Sequence, residues 1–248
     1  MTTLSAAQRR IDWGRAWRAI LALRANTDDI EHAFEVMIAL DGGQLEAMFQ
    51  RFCAEPGALQ LLAEKPSLLA VLGDYPALEQ LPKDSFGCAY VNLMQSHGYD
   101  ADGLRKASQL AIGLEEVLPG PDRQWFIERN GCIHDLLHVL TGYAQDWAGE
   151  TSLLALDCGL FPLRARVAGL LGTAATAPVW VYPYLVRAWI RGKRARIPLS
   201  YRWEDALARP LAAVRRELCI EPAPFAHPKG RLAGGQAHGP WRYARYCD

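Results

Sequence analysis

Residues 122–140, DRQWFIERNGCIHDLLHVL, decide the fold class. Pro119-Gly120-Pro121 stops whatever precedes them, and nothing inside the stretch breaks a helix. Leu136, Leu137, Val139 and Leu140 read as core, and no period-two alternation suggests a strand. The expectation is one long helix. His134 and His138 stand four residues apart on it, which puts both imidazoles on one face, one turn apart. Ionisable groups set among apolar ones are costly unless they are paired or bound to something.

Downstream the chain continues TGYAQDWAGE, with Tyr143, Trp147 and Ala148 as further core residues. Glu150 lies twelve residues past His138. In an unbroken helix it would be roughly 18 Å away at 1.5 Å per residue. Gly142 and Gly149, with Gln145-Asp146 between them, make a turn back plausible. Glu150 would then open a second helix, TSLLALDCGLF, and face the histidines. Asp135 sits about 100° round the first helix, as a direct ligand or as a group that orients one.

Upstream, helical patterns dominate. TDDIEHAFEVMIAL carries Asp28 and Glu31 in capping-box spacing, followed by Ile30, Phe34, Met37 and Ile38 as an apolar stripe. QLEAMFQRFCAE and GALQLLAEK read as short helices, YPALEQLPKDS as a turn-rich connector, and FGCAYVNLMQSHG and GLRKASQLAIGLEEVL as helices again. Hairpin dipeptides between alternating runs are missing. The reading is an all-α fold of eight to twelve helices in one compact domain, residues 1–220. A Pro/Gly-rich irregular tail, residues 221–248, completes it; His227 and His238 in that tail are given no role.

Val167 to Val186 contains no charged residue, but Gly169, Gly172, Pro178 and Pro183 interrupt it. It reads as buried core rather than a membrane span. The functional alternatives are a wall for a long apolar ligand or a membrane-docking face. Arg187, Arg191, Lys193, Arg194 and Arg196 follow, a basic flank suited to an anionic bilayer surface. Lys plus Arg and Asp plus Glu both number 27 in the 248 residues, which argues against nucleic-acid binding by the whole surface. Six scattered cysteines without a CxxC pair argue against a disulfide framework. Arginines interrupt the N-terminal apolar run, so no signal peptide is expected. The Ala/Arg-rich style suggests a bacterial, cytoplasmic protein.

His134, His138 and Glu150, with Asp135, make a mixed nitrogen and oxygen donor set. It suits zinc, and also iron, manganese or cobalt. No thiolate is near in sequence, so an open site that keeps positions for water or substrate is the natural expectation. No GxSxG elbow, Walker loop or GxGxxG competes. The His134-Asp135 dipeptide admits an HD-type metal-dependent hydrolase, although the dispersed histidines such a site needs are not evident. Tyr90, Tyr201 and Trp203 read as core aromatics before ring-stacking groups, and Cys132 points to another side of the helix.

The motif formed by His134, Asp135, His138 and Glu150 resembles the signature of the Coq-four family of ubiquinone (coenzyme Q) biosynthesis proteins. LPKDSFGCAYVNLM is similar to the family's Leu-Pro and Ser-hydrophobic-Gly segment, carried by Leu81, Pro82, Ser85, Phe86, Gly87 and Tyr90. YRWEDALARPLAAVRRELCI is similar to its Trp-Glu and Arg-Glu-Leu-Gly-Ile ending, with Cys219 in place of the usual glycine. Cys88 stands where a basic residue is expected. The resemblance covers roughly Asp28 to Ile220. It implies an all-helical fold and a divalent metal on His134, Asp135, His138 and Glu150. It also implies an apolar groove for a polyprenyl chain or other isoprenoid lipid, peripheral membrane association and a homodimer. The implied activity is removal of a ring carboxylate from a polyprenylated benzoate, coupled to hydroxylation at the same carbon. The other reading the resemblance offers is a non-catalytic lipid-binding scaffold that organises the quinone-biosynthesis enzymes. In a bacterium the protein would lie on the cytoplasmic side of the inner membrane.

Overall fold

The computed structural model describes residues 11–25, 30–96, 114, 117–145 and 147–222. Thirteen α-helices and one 3-10 turn cover most of them. The all-α expectation is met. Among the described residues extended pairing is confined to one isolated bridge, between Ser85 and Pro210. The helix number exceeds the expected range because several helices are a turn or two long. One is Tyr75–Glu79 (α6), which the sequence reading took for a connector. Asp74 starts it by accepting the Ala77 N–H at 3.1 Å, and Pro76 lies in its first turn. The proposed capping residue Asp28 and most of the Gly103–Leu118 stretch lie outside the described residues.

The helices fall into three apolar clusters. The N-terminal pair, Trp13–Ala25 (α1) and Ile30–Leu40 (α2), pack through Ala16, Ala19, Val36, Ala39 and Leu40. Gln44–Cys53 (α3) and Ala58–Glu64 (α4) meet the start of Pro121–Thr141 (α8) through Phe49, Phe52 and Phe126. The largest cluster surrounds the second half of α8. It draws in Leu68–Gly73 (α5), Phe86–Ser96 (α7), Trp147–Leu160 (α9), Trp203–Ala206 (α12) and Leu211–Glu217 (α13). Tyr90 and Trp203 are fully buried in it, as core aromatics. Cys132 is buried there too.

The long helix predicted from residues 122–140 is α8, and two of the three apolar clusters are built on it. Arg129, 2 % exposed, pairs with Glu204 through both guanidinium ends, donates to the Tyr201 carbonyl at 3.0 Å and lies over the Trp125 ring. A buried charge is tolerable only with an opposite charge and hydrogen-bond acceptors of this kind beside it. The Ser85-Phe86-Gly87 segment docks onto the same C-terminal region. The Gly87 N–H reaches the Leu207 carbonyl at 2.8 Å, and a Cβ on Gly87 would press Leu81 at 2.7 Å. The two flanking sequence motifs are therefore neighbours in space.

Arg164–Thr176 (α10), the 3-10 turn Val179–Val181 and Tyr182–Arg194 (α11) correct one expectation. The uncharged segment Val167–Val186 is not buried core. Among its described side chains only Val181 and Leu185 are buried, while Leu171 is 65 % and Val179 83 % exposed. Leu185, Ala188 and Gly192 face α9. Gly192 lets the two backbones touch, since a Cβ there would fall 2.0 Å from the Leu156 carbonyl oxygen. The remaining face presents Tyr182, Val186, Trp189 and Ile190 outward. Periodicity separates core from surface only when polar residues mark the outer face, and here apolar ones occupy both. No described helix is long and apolar enough to cross a membrane.

Candidate metal centre

The site begins where α8 ends. Gly142 adopts φ 73°, a left-handed conformation that costs glycine little, and its N–H closes the helix on the His138 carbonyl at 2.9 Å. The chain then doubles back through Tyr143, Ala144 and Gln145 into α9. Gly149 permits the tight return: a Cβ on it would overlap the Ala144 carbonyl oxygen at 1.6 Å. This turn removes the separation that a continuous helix would have put between His138 and Glu150.

The result is a three-residue convergence. Glu150 Oε2 lies 3.2 Å from His134 Nε2, and Glu150 Oε1 lies 3.1 Å from His138 Nε2. The two Nε2 atoms are 3.3 Å apart, with the rings nearly perpendicular at 84°. One ligand atom from each of the three residues falls within 4.8 Å of the others, a grouping able to hold a metal ion. His138 is buried, and its Nδ1 lies 3.0 Å from the Tyr143 carbonyl. A carbonyl only accepts, so Nδ1 carries a proton, and Nε2 is the nitrogen turned toward Glu150. That arrangement fits a metal ligand, whose second ring nitrogen is characteristically tied down. His134 is half exposed, so the group opens on one side to solvent.

The electrostatics agree. Burial opposes a charge on His134. The Glu150 hydrogen bond and charge, helped by Asp135 and Asp157, outweigh it and push the imidazole up to about 9. Burial would raise the Glu150 carboxyl, but hydrogen bonds from His134 and His138 and their charges hold it well below the usual carboxylate range. Without metal the trio is thus a proton-bridged cluster around an ionised carboxylate.

Asp135, the fourth predicted residue, is half-buried beside the trio and is not one of the three convergent ligands. Burial pushes its carboxyl up, against the pull of His134 and His138. Its charge acts also on Tyr90 and Cys132, on the core side of α8. Sequence reasoning missed the groups behind the site. Arg215 donates to the Leu140 carbonyl at 2.9 Å and to the Val139 carbonyl at 2.8 Å. Arg191 donates to the Thr141 carbonyl at 3.2 Å and lies over the Tyr143 ring at 4.9 Å. The only sign of Arg215 was its place inside the C-terminal motif.

Known proteins resemble this chain in sequence and in fold. The family model described as "Coenzyme Q (ubiquinone) biosynthesis protein Coq4" matches residues 16–224. The chain is 29 % identical over 185 residues to the mitochondrial ubiquinone biosynthesis protein COQ4 homolog of Drosophila ananassae, covering 72 % of this chain and 66 % of that one. It is 26 % identical over 182 residues to the Rattus norvegicus homolog, covering 68 % and 63 %. The chain therefore spans just under two thirds of the length of these relatives. A crystal structure of a putative ubiquinone biosynthesis protein from Nostoc punctiforme superposes with a TM-score of 0.60 at 17 % identity, over 84 % of this chain and 98 % of that one. At that identity the likeness speaks for the fold. With the family model spanning most of its length, all-helical and carrying the His-Asp-His-Glu motif, the chain belongs to the Coq4 family of coenzyme Q (ubiquinone) biosynthesis proteins.

Proposed function

We propose that this protein is a metal-dependent member of its pathway acting on the ring of a polyprenylated benzoate-type intermediate. The reaction would be oxidative decarboxylation, in which the ring C1 carboxylate leaves as carbon dioxide and an oxygen-atom donor of the dioxygen class, acting as oxidant, supplies the hydroxyl on that carbon. The observation that carries the reading is the convergence of His134, His138 and Glu150 at the foot of α8, with one side open. These three residues would hold the ion and Asp135 would orient a ligand. Zinc is the assigned ion, with iron or manganese the alternatives. A cation so held would supply Lewis acidity toward a substrate carboxylate or phenolate, and a redox-capable one would also suit the oxidative half. On the protein's side, Glu150 stays ionised and keeps the two histidines turned toward one point. Burial of His138 excludes water from one flank, and half-exposed His134 leaves the other free for the ring.

The polyprenyl chain would lie on the apolar surface of α10 and α11. Tyr182, Val186, Trp189 and Ile190 line one side of α11, with Arg187 and Arg194 exposed beside them and the Lys193 ammonium over the Trp189 ring. An apolar stripe bordered by cations suits an anionic bilayer, so we assign the protein a peripheral position on a bacterial inner membrane, as a homodimer near other quinone-biosynthesis proteins. The domain division expected from sequence, a helical unit over residues 1–220 and a tail over 221–248, stays a proposal, since all of the tail but residues 221–222 lies outside the described residues.

The same exposed apolar face favours a second reading, a scaffold that presents prenylated intermediates without chemistry of its own. Rescue of a strain lacking its Coq4 protein separates the two, with quinone and precursors read by lipid mass spectrometry. Wild type should restore quinone, and His138→Ala at matched expression should accumulate a ring-carboxylated precursor. Equal rescue by both would leave the scaffold. Accumulated phosphorylated metabolites cleared by the purified protein would point instead to an HD-type hydrolase.

A further inference from the structure

The last four carbonyls of any α-helix lack partners within the helix. In α8 they belong to His138, Val139, Leu140 and Thr141. Each is answered, and only one locally. The Gly142 N–H takes the His138 carbonyl. Arg215 takes Val139 and Leu140 with two nitrogens of one guanidinium, at 2.8 and 2.9 Å. Arg191 takes Thr141 at 3.2 Å and, through its other contacts, the Tyr143 ring and the Glu221 carbonyl. Arg215 comes from α13 and Arg191 from α11. His138 sits inside the turn they hold. The Tyr143 carbonyl that fixes its tautomer belongs to the residue whose ring Arg191 covers.

We propose that Arg215, with Arg191 in support, is a positioning residue for the metal centre. It clamps the last turn of α8 so that the His138 Nε2 lone pair stays aimed at the point shared with His134 and Glu150. This rests on the metal reading above and extends it to a residue that touches neither ion nor substrate. Two features set Arg215 apart from an ordinary helix cap. Its fork-shaped guanidinium satisfies two successive carbonyls at once, which a lysine ammonium on a flexible stem cannot reproduce with the same geometry. The positive charge also lies at the negative end of the helix. Without it the final turn frays, and His138 loses its fixed direction while the rest of α8 stays packed.

The test measures zinc affinity at pH 7 by competition with a chromophoric chelator, alongside the thermal midpoint of the metal-free protein. Wild type is compared with Arg215→Met, Arg215→Lys and Arg123→Met. Arg123 is the reference. It pairs with Glu46 at 2.6 Å at the opposite end of the same helix, about 22 Å from His138 at 1.5 Å per residue. Arg215→Met should weaken zinc binding about tenfold to a hundredfold, the range found for groups that orient metal ligands. Arg215→Lys should fall between it and wild type. Arg123→Met should lower the midpoint but leave affinity alone. If Arg215→Met does not fold, the Arg215→Lys affinity decides by itself. Wild-type affinity in the Arg215 variants, or affinity that follows the midpoint on one line with Arg123→Met, overturns the clamp. A wild-type protein that binds no zinc removes the metal centre itself, a different failure.

Discussion

The proton held by the metal-free cluster gives the sharpest test of the site. His134 is raised from an ordinary value near 6.5 to about 9, because the hydrogen bond and charge of Glu150 outweigh burial. At pH 7 the ring is then about 99 % protonated. A metal ion needs the Nε2 lone pair and must expel that proton. Zinc loading at pH 7 should therefore release about one proton from His134, and affinity should rise close to tenfold per pH unit until about pH 9. The stability of the metal-free protein follows the same linkage. A base raised in the folded state stabilises fully below its unfolded pKa, and that contribution is lost as pH rises through about 9. The bare shift is equivalent to roughly 3 kcal/mol at 1.36 kcal/mol per unit. His134 and Glu150 are 47 % and 42 % exposed, so solvent screening reduces this to about 1 kcal/mol. Imidazole nitrogen NMR on metal-free protein reads the site directly. The expected midpoint is near 9 in wild type and lower in Glu150→Gln, where burial is no longer opposed by the carboxylate. A wild-type midpoint at or below 6.5, or one unmoved by Glu150→Gln, would refute the assignment of the cluster as proton-bridged.

Other consequences are equally concrete. Arg129→Met strands Glu204 in the core and should cost ~3–5 kcal/mol in denaturant unfolding. Gly192→Ala forces α11 off α9 and should cost about 1–3 kcal/mol, whereas an unchanged unfolding midpoint would show that the helices are not in backbone contact. Cys219 holds φ 53°, so Cys219→Gly should raise stability by about 0.5–1 kcal/mol, the left-handed penalty less the entropy of glycine. A Cβ at Gly172 meets nothing within 4 Å, so Gly172→Trp should fold and bind zinc normally while losing long-tailed prenyl lipid in vesicle-free binding assays; unaltered lipid binding would remove α10 from the ligand surface.

The parts of this protein legible in sequence were those governed by local rules. The four-residue spacing of His134 and His138 fixed their shared face, and two glycines announced the turn that returns Glu150 to them. The C-terminal resemblance flagged Glu204 but only ran past Arg215, since the arginine of its Arg-Glu-Leu ending is Arg216, and it did not say why either matters. Their roles depend on contacts with Arg129 and with the end of α8 across about 75 residues of chain, a partner choice that no periodicity encodes. The α10–α11 surface was misread for a related reason. An apolar helix face that meets solvent has the same composition as one that meets another helix. Cys219 is a smaller case: the usual glycine at that place signals a left-handed turn, and the turn survives the substitution.

The glycine contact between α9 and α11 has a mechanical meaning. Gly192 approaches Leu156 and Gly159 with no side chain between the backbones, so at that crossing there is no rotamer to flex and no soft layer to absorb displacement. They form a single strut. One end of it carries Glu150, and the outer side carries the apolar face of α11. A load on that face, such as the prenyl tail or bilayer proposed above, would reach the carboxylate as a rigid-body movement rather than being dissipated in side-chain adjustment.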